Sequence, residues 1–322
     1  SNMPVRTLLS RLGVACKVVE EQEEPDGDFP TVSLPNPEDP QAMRLAIELA
    51  KREKSDLVLG CDPDGDRLGI AIPTSEQKEE YRLLTGNEIA ILLADFLLKN
   101  YDGEKRPAVV KSLVTSDLID KIADKEGGVC YTVLTGFKYI AEKMAQLEKS
   151  KDEKFLFGCE ESFGYLPVND VRDKDAVSSA ILAVKMVDHY LKKGITLAER
   201  LDEIYSEYGF FGEVVLSYTY EGASGKKRMK EIMERFRALQ PNELFGGAKV
   251  VKVEDLAQGG VGDLPPSDVV ILYFTGKEKM VVRPSGTEPK IKYYLFFDSQ
   301  GVAKEEFLPL MHQRLATFKG EF

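Results

Sequence analysis

Residues 56–72, DLVLGCDPDGDRLGIAI, place an acidic loop between two short apolar runs. Short runs of Val, Ile and Leu that end in turn residues are typical of buried strands. Gly65 gives the loop the backbone freedom that a tight turn needs. The segment therefore predicts two strands joined by the acidic loop, and loops at strand ends of layered proteins are common binding sites.

Helices are predicted on both sides of this strand pair. Asp39 and Pro40 supply an N-cap and a first-turn proline for an amphipathic run at 41–54. Thr85 and Glu88 have the spacing of a capping box, and a long apolar run follows them. The chain thus passes from helix to strands and back to helix.

The same alternation continues through the middle of the chain. A second capping box, formed by Thr196 and Glu199, predicts the start of a helix. Strands that alternate with helices predict a parallel sheet covered by helices. Apolar runs lie at 107–114, 128–134 and 153–158, and helical patterns lie near 117–126, 136–149 and 174–193.

The last third of the chain has a different pattern. Five strand-like runs, FFGEVVLSYTY, KVVKVE, DVVILYFT, EKMVVRP and KIKYYLFF, are interrupted by only two helical stretches. Consecutive strands of this kind pair antiparallel. We therefore predict an α/β protein in which parallel α/β layered domains precede a smaller C-terminal α+β domain with an antiparallel sheet. The predicted domains are 1–82, 83–207 and 208–322.

Composition excludes several classes of protein. With 43% hydrophobic and 30% charged residues over 322 positions, the chain is suited to a globular fold with a sizeable core. A net charge of −11 argues against a nucleic-acid binder, which needs a basic face. No apolar run approaches the length of a membrane span, and four scattered cysteines indicate a reduced compartment. We expect a cytoplasmic protein without nucleic-acid or membrane partners.

The acidic loop is a candidate metal site. Asp62, Asp64 and Asp66 crowd three carboxylates into five residues, and Arg67 follows them. Such crowding is repulsive unless a cation joins it, and hard oxygen ligands favour Mg²⁺. The alternatives are a solvated acidic turn, which Asp and Gly commonly form, and an EF-hand, which Pro73 at the twelfth loop position disfavours.

The segment RPSGTEPK, residues 283–290, is a candidate phosphate-binding loop. Arg283 offers a fork of donors, Ser285 and Thr287 offer hydroxyl groups, and Gly286 lets the backbone approach an anion. Lys290 adds a positive charge. An ordinary hairpin is the alternative, because Pro, Ser and Gly form turns by themselves.

Two further loops could recognise a sugar phosphate. In GCEESFGY, residues 158–165, Glu160 and Ser162 could bond to sugar hydroxyls, although acidic residues also mark helix starts. In TGFK, Thr135 and Gly136 precede a helix whose first turn carries Lys138, which suits an anion. A capped helix with an exposed lysine is the alternative there. Together the four loops supply the components of phosphoryl transfer on a sugar.

These four strings, in their order along the chain, resemble the α-D-phosphohexomutase superfamily, most closely its phosphoglucomutase branch, with phosphomannomutase as a near relative. The resemblance covers essentially the whole chain. It implies an enzyme that interconverts glucose 1-phosphate and glucose 6-phosphate through a phosphoserine and a bisphosphorylated sugar. The implied roles are Mg²⁺ ligation by Asp62, Asp64 and Asp66, catalysis by Arg67 and Lys138, and substrate binding by Thr135, Gly136, Lys138, Glu160, Ser162, Arg283, Ser285, Gly286 and Thr287.

One departure from the family pattern concerns the nucleophile. The family's phosphoserine lies in a string like TASHNP, and no serine here is followed by histidine. By this comparison the N-terminal domain of the same protein is a missing partner. We therefore expect the chain alone to bind Mg²⁺ and hexose phosphate weakly without turning the substrate over.

The sequence is also compatible with other functions. The sugar could be a mannose or pentose phosphate within the same family. LVLGCDPDGD also resembles haloacid-dehalogenase-like phosphatases, in which Asp62 would be the nucleophile. A sugar-phosphate-binding module without catalysis is a third alternative.

Overall fold

A computed structural model describes residues 2–285 and 289–321. Three residues of the predicted phosphate loop, Gly286, Thr287 and Glu288, lie outside the described residues. The chain divides into two compact units, Ser1–Glu203 and Ile204–Phe322. The predicted division into 1–82, 83–207 and 208–322 stays a prediction.

The first unit alternates helices and strands as the sequence predicts. Its helices are α1 (Asn2–Arg11), α2 (Pro40–Glu53), α3 (Gly86–Lys99), α4 (Leu118–Lys125), α5 (Phe137–Leu147) and α6 (Ala176–Lys192). Its strands are β1 (Val58–Cys61), β2 (Leu68–Pro73), β3 (Tyr81–Leu83), β4 (Arg106–Ser112), β5 (Val129–Val133), β6 (Glu153–Glu160) and β7 (Gly164–Leu166). Helix α7 (Leu197–Tyr208) follows them.

A small antiparallel sheet of order β1-β2-β3 holds the acidic loop. The predicted strand–loop–strand arrangement is confirmed, since the loop connects β1 to β2. Helix α2 covers the sheet by packing Met43 and Ala50 against Val58 and Ala71. Asp39 Oδ1 accepts a hydrogen bond from the backbone N–H of Gln41 at 2.9 Å, so the predicted N-cap is present.

A four-stranded sheet of order β5-β4-β6-β7 forms the second layer. Strand β4 pairs parallel with both β5 and β6, which confirms the predicted parallel sheet. Helix α5 packs on it through a buried cluster that includes Ile140, Met144 and Phe155. The antiparallel edge strand β7 was not expected, because three residues are too few to show a period.

The second unit is an antiparallel sheet with two helices. Its elements are β8 (Phe211–Thr219), α8 (Gly222–Ala238), β9 (Leu244–Phe245), β10 (Ala248–Asp255), β11 (Val270–Phe274), β12 (Lys279–Pro284), β13 (Lys290–Asp298) and α9 (Lys304–Lys319). The strand order is β8-β13-β12-β11-β10-β9 with every neighbouring pair antiparallel. The predicted fold class is confirmed. Across the described part of the chain, the helices lack the combined length and apolar character needed to cross a bilayer.

Candidate active site

The acidic loop after β1 is closed by one of its own carboxylates. Asp62 Oδ1 accepts hydrogen bonds from the backbone N–H groups of Asp66, at 3.1 Å, and Arg67, at 3.0 Å. The N–H of Gly65 donates to the carbonyl oxygen of Asp62, and Gly65 has a φ of 74°. A side chain at that position would be strained, so the turn depends on glycine.

The carboxylates of Asp62 and Asp66 form a charged pair that suits a cation. Burial raises the pKa of Asp62, and the neighbouring Asp66 carboxylate raises it further. Asp66 Oδ1 is buried, and within 2–285 and 289–321 no group hydrogen-bonds to it. Buried oxygen atoms with excess negative charge are the donors that Mg²⁺ prefers. The two residues therefore fit a hard divalent cation.

Asp64 does not join this pair as a ready-made third ligand. It is exposed at the tip of the loop. Among the described residues, no three Asp, Glu, His or Cys side chains are grouped so that they could hold a metal ion. The three-aspartate site therefore stays a prediction, and its structural support comes from Asp62 and Asp66.

Arg67 lies at the end of the acidic loop near three carboxylates, and it hydrogen-bonds to that of Glu38. Its Nη1 lies 3.0 Å from Glu38 Oε1. Its Nε lies 4.0 Å from Asp62 Oδ2 and 3.9 Å from Asp66 Oδ1. About a third of the side chain is exposed, so the guanidinium is both oriented and accessible to an anion.

The GCEESFGY segment forms the turn between β6 and β7. Glu160, at the end of β6, is only 5% exposed, and its Oε1 accepts a hydrogen bond from the N–H of Gly136 at 2.8 Å. Glu161 Oε2 accepts one from Ser112 Oγ at 3.3 Å. Ser162 is half-buried in the turn. Glu160 therefore ties the GCEESFGY segment, called the sugar loop below after its predicted role, to the TGFK loop.

Backbone pairing joins the acidic loop to the sugar loop. Arg67 and Gly164 form an isolated antiparallel bridge, and the N–H of Leu68 donates to the carbonyl oxygen of Phe163 at 3.0 Å. The bond between Gly136 and Glu160 adds the TGFK loop to the same group. Three of the four loops predicted from the sequence thus meet within the first unit.

The TGFK loop has the features of an anion site at a helix start. Gly136 precedes α5 with a φ of 117°, a conformation that favours glycine. Thr135 Oγ1 is buried without a hydrogen-bond partner among the described residues. Lys138 is exposed, with its Nζ 4.9 Å from the centre of the Tyr139 ring. Free amides at a helix start suit an anion, and Lys138 adds a positive charge to the same turn.

Lys174 is a site residue that the sequence analysis did not identify. Its Nζ lies 3.1 Å from Asp66 Oδ2 and 3.0 Å from Asp173 Oδ1. Burial lowers the pKa of Lys174, but hydrogen bonds to Asp173 and Asp66 outweigh this effect and raise it. A Cβ atom at Gly164 would lie 2.2 Å from Lys174 Cδ, so glycine makes room for the lysine. The only sequence signal was a charged string, RDKD, ahead of α6.

The described part of the predicted phosphate loop lies in the second unit. Arg283 is in β12 opposite Lys292 of β13. The N–H of Ser285 donates to the carbonyl oxygen of Lys290 at 2.8 Å, which closes the hairpin at its base. The roles of Arg283, Ser285 and Lys290 stay predictions.

Comparisons with known proteins identify the family. The description "Phosphoglucomutase/phosphomannomutase, alpha/beta/alpha domain II" matches residues 1–75, and the corresponding domain III matches residues 85–208. A phosphoglucomutase of Staphylococcus epidermidis is 38% identical over 289 residues, which are 87% of this chain and 52% of that protein. The chain belongs to the phosphoglucomutase/phosphomannomutase family. The resemblance seen in the sequence is therefore confirmed.

A second relative supports the family, and two solved structures show the same fold. A phosphoglucomutase of Staphylococcus saprophyticus is 36% identical over 92% of this chain and 55% of its own length. The open form of parafusin, a phosphoglucomutase from Paramecium, has a TM-score of 0.63 at 21% identity over 98% of this chain and 55% of its own. A family protein from Burkholderia thailandensis has a TM-score of 0.62 at 14% identity, over 99% of this chain and 58% of its own. The two structures show a shared fold. The chain spans about half the length of the curated relatives it matches.

Proposed function

We propose that this chain carries the metal, sugar and phosphate sites of a phosphoglucomutase, an enzyme that interconverts glucose 1-phosphate and glucose 6-phosphate. The observation that carries the proposal is the backbone bridge between Arg67 and Gly164, which fixes the acidic loop beside the sugar loop. A phosphorylated sugar needs both a charge-stabilising group and hydroxyl acceptors within reach of one molecule. The relatives at 36% and 38% identity carry the name phosphoglucomutase.

Asp62 and Asp66 would hold Mg²⁺ in this proposal. When bound, the ion would neutralise charge on the phosphoryl group during transfer. Lys174 Nζ contacts Asp66 Oδ2 at 3.1 Å, which leaves Oδ1 as the oxygen directed to a cation. Arg67, oriented by Glu38, would bind the oxygens of the transferring phosphate.

The substrate's sugar and second phosphate would be held by the remaining loops. Glu160 and Ser162 would bond to sugar hydroxyls, and Thr135, Gly136 and Lys138 would contact the substrate beside them. Arg283, Ser285, Gly286 and Thr287 would hold the phosphate that does not react. Turnover needs a phosphoserine, and we propose that it comes from a domain beyond these 322 residues.

The backbone hydrogen bonds to Asp62 leave Oδ2 as the one carboxylate oxygen that the phosphatase alternative could use. A nucleophilic carboxylate needs an oxygen open to the phosphorus atom. Asp62 is 9% exposed, and its Oδ1 already accepts two backbone hydrogen bonds. Trapping of an aspartyl phosphate on Asp62 would favour the phosphatase instead.

Calorimetric titration tests the proposed function. Glucose 1-phosphate should bind the chain more tightly in the presence of Mg²⁺, and Asp66→Asn should weaken Mg²⁺ binding by about tenfold or more. Asp56→Asn is the matched control, because Asp56 is an exposed carboxylate of the same unit that pairs with Lys78 outside the loop. The metal role would be refuted if both variants lost Mg²⁺ affinity equally. It would also be refuted if Mg²⁺ did not change the affinity of the wild-type chain for glucose 1-phosphate.

Sugar selectivity needs a parallel titration. Mannose 1-phosphate should bind more weakly than glucose 1-phosphate if the chain is part of a phosphoglucomutase. Ser162→Ala should reduce hexose phosphate affinity while leaving inorganic phosphate binding unchanged, because the hydroxyl is proposed to contact the sugar. A preference for mannose 1-phosphate would move the assignment to phosphomannomutase.

A further inference from the structure

Glu38 lies outside the four predicted loops, yet it is the hydrogen-bonding carboxylate partner of Arg67. Its Oε1 accepts a hydrogen bond from Arg67 Nη1 at 3.0 Å, across 29 positions of sequence. The side chains of Glu38 and Arg67 are about equally exposed, at 37% and 34%. An exposed ion pair alone contributes little, so its importance depends on how firmly the surrounding backbone holds it.

Two glycines leave room for the backbone beside Glu38 to pack on the sheet. Gly60 of β1 and Gly69 of β2 are cross-strand partners. A Cβ atom at Gly69 would lie 2.6 Å from Pro37 Cβ and 3.3 Å from Pro37 O. A Cβ atom at Gly60 would lie 2.2 Å from Met43 Sδ. Because neither strand carries a side chain here, the buried Pro37 packs directly onto the sheet.

Local hydrogen bonds fix the turn that carries Glu38. Asn36 Oδ1 accepts a hydrogen bond from the N–H of Glu38 at 3.0 Å, and the carbonyl oxygen of Asn36 accepts one from Asp39 at 2.9 Å. Asp39 then caps α2. Glu38 thus sits between a sheet-packed proline and a helix cap, which limits where its carboxylate can point.

The position of Arg67 matters to any cation in the acidic loop. Its Nε is already 3.9 Å from Asp66 Oδ1 and 4.0 Å from Asp62 Oδ2. A small rotation would bring the guanidinium into hydrogen-bonding contact with these carboxylates. The guanidinium would then bind the same carboxylate oxygens as a divalent cation and compete with it.

We propose that Glu38 is a positioning residue that holds the Arg67 guanidinium away from Asp62 and Asp66, and so leaves these carboxylates available to a divalent cation. The proposal rests on the proposed metal function of the acidic loop. Glu38 touches neither the cation nor the substrate, and it acts through Arg67. Its removal should therefore weaken cation binding even before substrate is present.

Calorimetric titration of Mg²⁺ into the 322-residue chain tests this role. Glu38→Gln removes the charge while keeping the shape, and we expect the Kd for Mg²⁺ to rise by about tenfold. Glu48→Gln is the matched control, because it removes an equal charge from an exposed pair with Arg44 on α2. The control should leave the Kd unchanged, and thermal unfolding should confirm that both variants are folded.

The same substitution in an Arg67→Gln background separates the mechanisms. If Glu38 acts through Arg67, Glu38→Gln in that background should change the Kd by less than about twofold. A full effect there would show that Glu38 attracts the cation directly, which overturns the proposal. An unchanged Kd in the Glu38→Gln variant would also overturn the proposal. It would show that Glu38 and Arg67 form an ordinary surface ion pair.

The Asp66→Asn variant tests whether Mg²⁺ binds at the acidic loop at all. If wild-type chain binds no Mg²⁺, or if Asp66→Asn leaves binding intact, the proposed metal function fails and the role of Glu38 fails with it. If Asp66→Asn abolishes binding while Glu38→Gln has no effect, the metal function stands and only the positioning role is refuted.

Discussion

At the scale of single residues, Lys111 is the clearest case of a buried charge outside the proposed catalytic chemistry. It is 1% exposed in β4, and its Nζ lies 3.0 Å from Asp117 Oδ1 and 3.1 Å from Asp120 Oδ2. Lys111→Met would leave two carboxylates facing a buried apolar group. Because these carboxylates are 37% and 42% exposed, water can partly solvate them, and we expect the free energy of unfolding to fall by about 1–3 kcal/mol, as measured by urea denaturation.

A matched lysine and a compensating variant define the controls for this experiment. Lys105→Met removes an exposed lysine just before the same strand. Lys105 Nζ donates to the carbonyl oxygen of Ser150 at 2.8 Å, and the substitution should change stability by less than about 0.5 kcal/mol. Adding Asp117→Asn and Asp120→Asn to Lys111→Met should recover part of the loss. A loss below about 1 kcal/mol for Lys111→Met alone would show that Lys111 is not tightly coupled to Asp117 and Asp120.

The residues of the candidate site were predictable from sequence only where their chemistry is local. Asp62, Asp64 and Asp66 are near neighbours in the chain, so the crowding of their carboxylates can be recognised from the sequence. Lys174 reaches Asp66 from the start of α6, and Glu38 reaches Arg67 from a proline-rich loop. Such contacts depend on how distant segments pack, and no spacing in the sequence records them.

At the scale of elements, the first turn of α3 supports the sugar loop. A Cβ atom at Gly86 would lie 1.8 Å from the carbonyl oxygen of Glu161, and Tyr165 Oη donates to the carbonyl oxygen of Gly86 at 2.9 Å. Gly86→Ala must therefore displace the backbone of the sugar loop. We expect a loss of about 1–3 kcal/mol in stability and weaker glucose 1-phosphate binding, measured by urea denaturation and calorimetry.

Gly27→Ala is the control for the substitution in α3. An added Cβ at Gly27 meets no atom within 4 Å in the described structure, and its φ lies outside the left-handed region. This variant should keep the hexose phosphate affinity and the stability of the wild-type chain. Unchanged binding by Gly86→Ala would show that α3 does not position the sugar loop.

Element starts were more predictable than short strands. The capping boxes at Thr85–Glu88 and Thr196–Glu199 are both present, because a cap is a local pattern of two side chains and nearby amides. Strands β3, β7 and β9 were not predicted, since each has three residues or fewer. Their pairing is decided by the neighbouring strand, and so few residues show no period.

At the scale of the whole molecule, the second unit has a core of its own. Phe318 of α9 lies 5.1 Å from Phe274 of β11 between ring centres, and Phe245 of β9 lies 5.3 Å from Phe236 of α8. These rings pack helices onto an antiparallel sheet whose described strands all pair within the unit. A core closed in this way predicts independent folding.

Expression of residues 197–322, which keeps α7 intact, tests this prediction. The fragment should give dispersed amide NMR signals and one cooperative unfolding transition, because burial of the aromatic cluster does not need the first unit. Phe318→Ala should cost the fragment about 3–5 kcal/mol, whereas truncation of Leu244, which is 71% exposed, should cost less than about 0.5 kcal/mol. Collapsed NMR signals or non-cooperative melting would instead mean that the aromatic core cannot order this unit by itself.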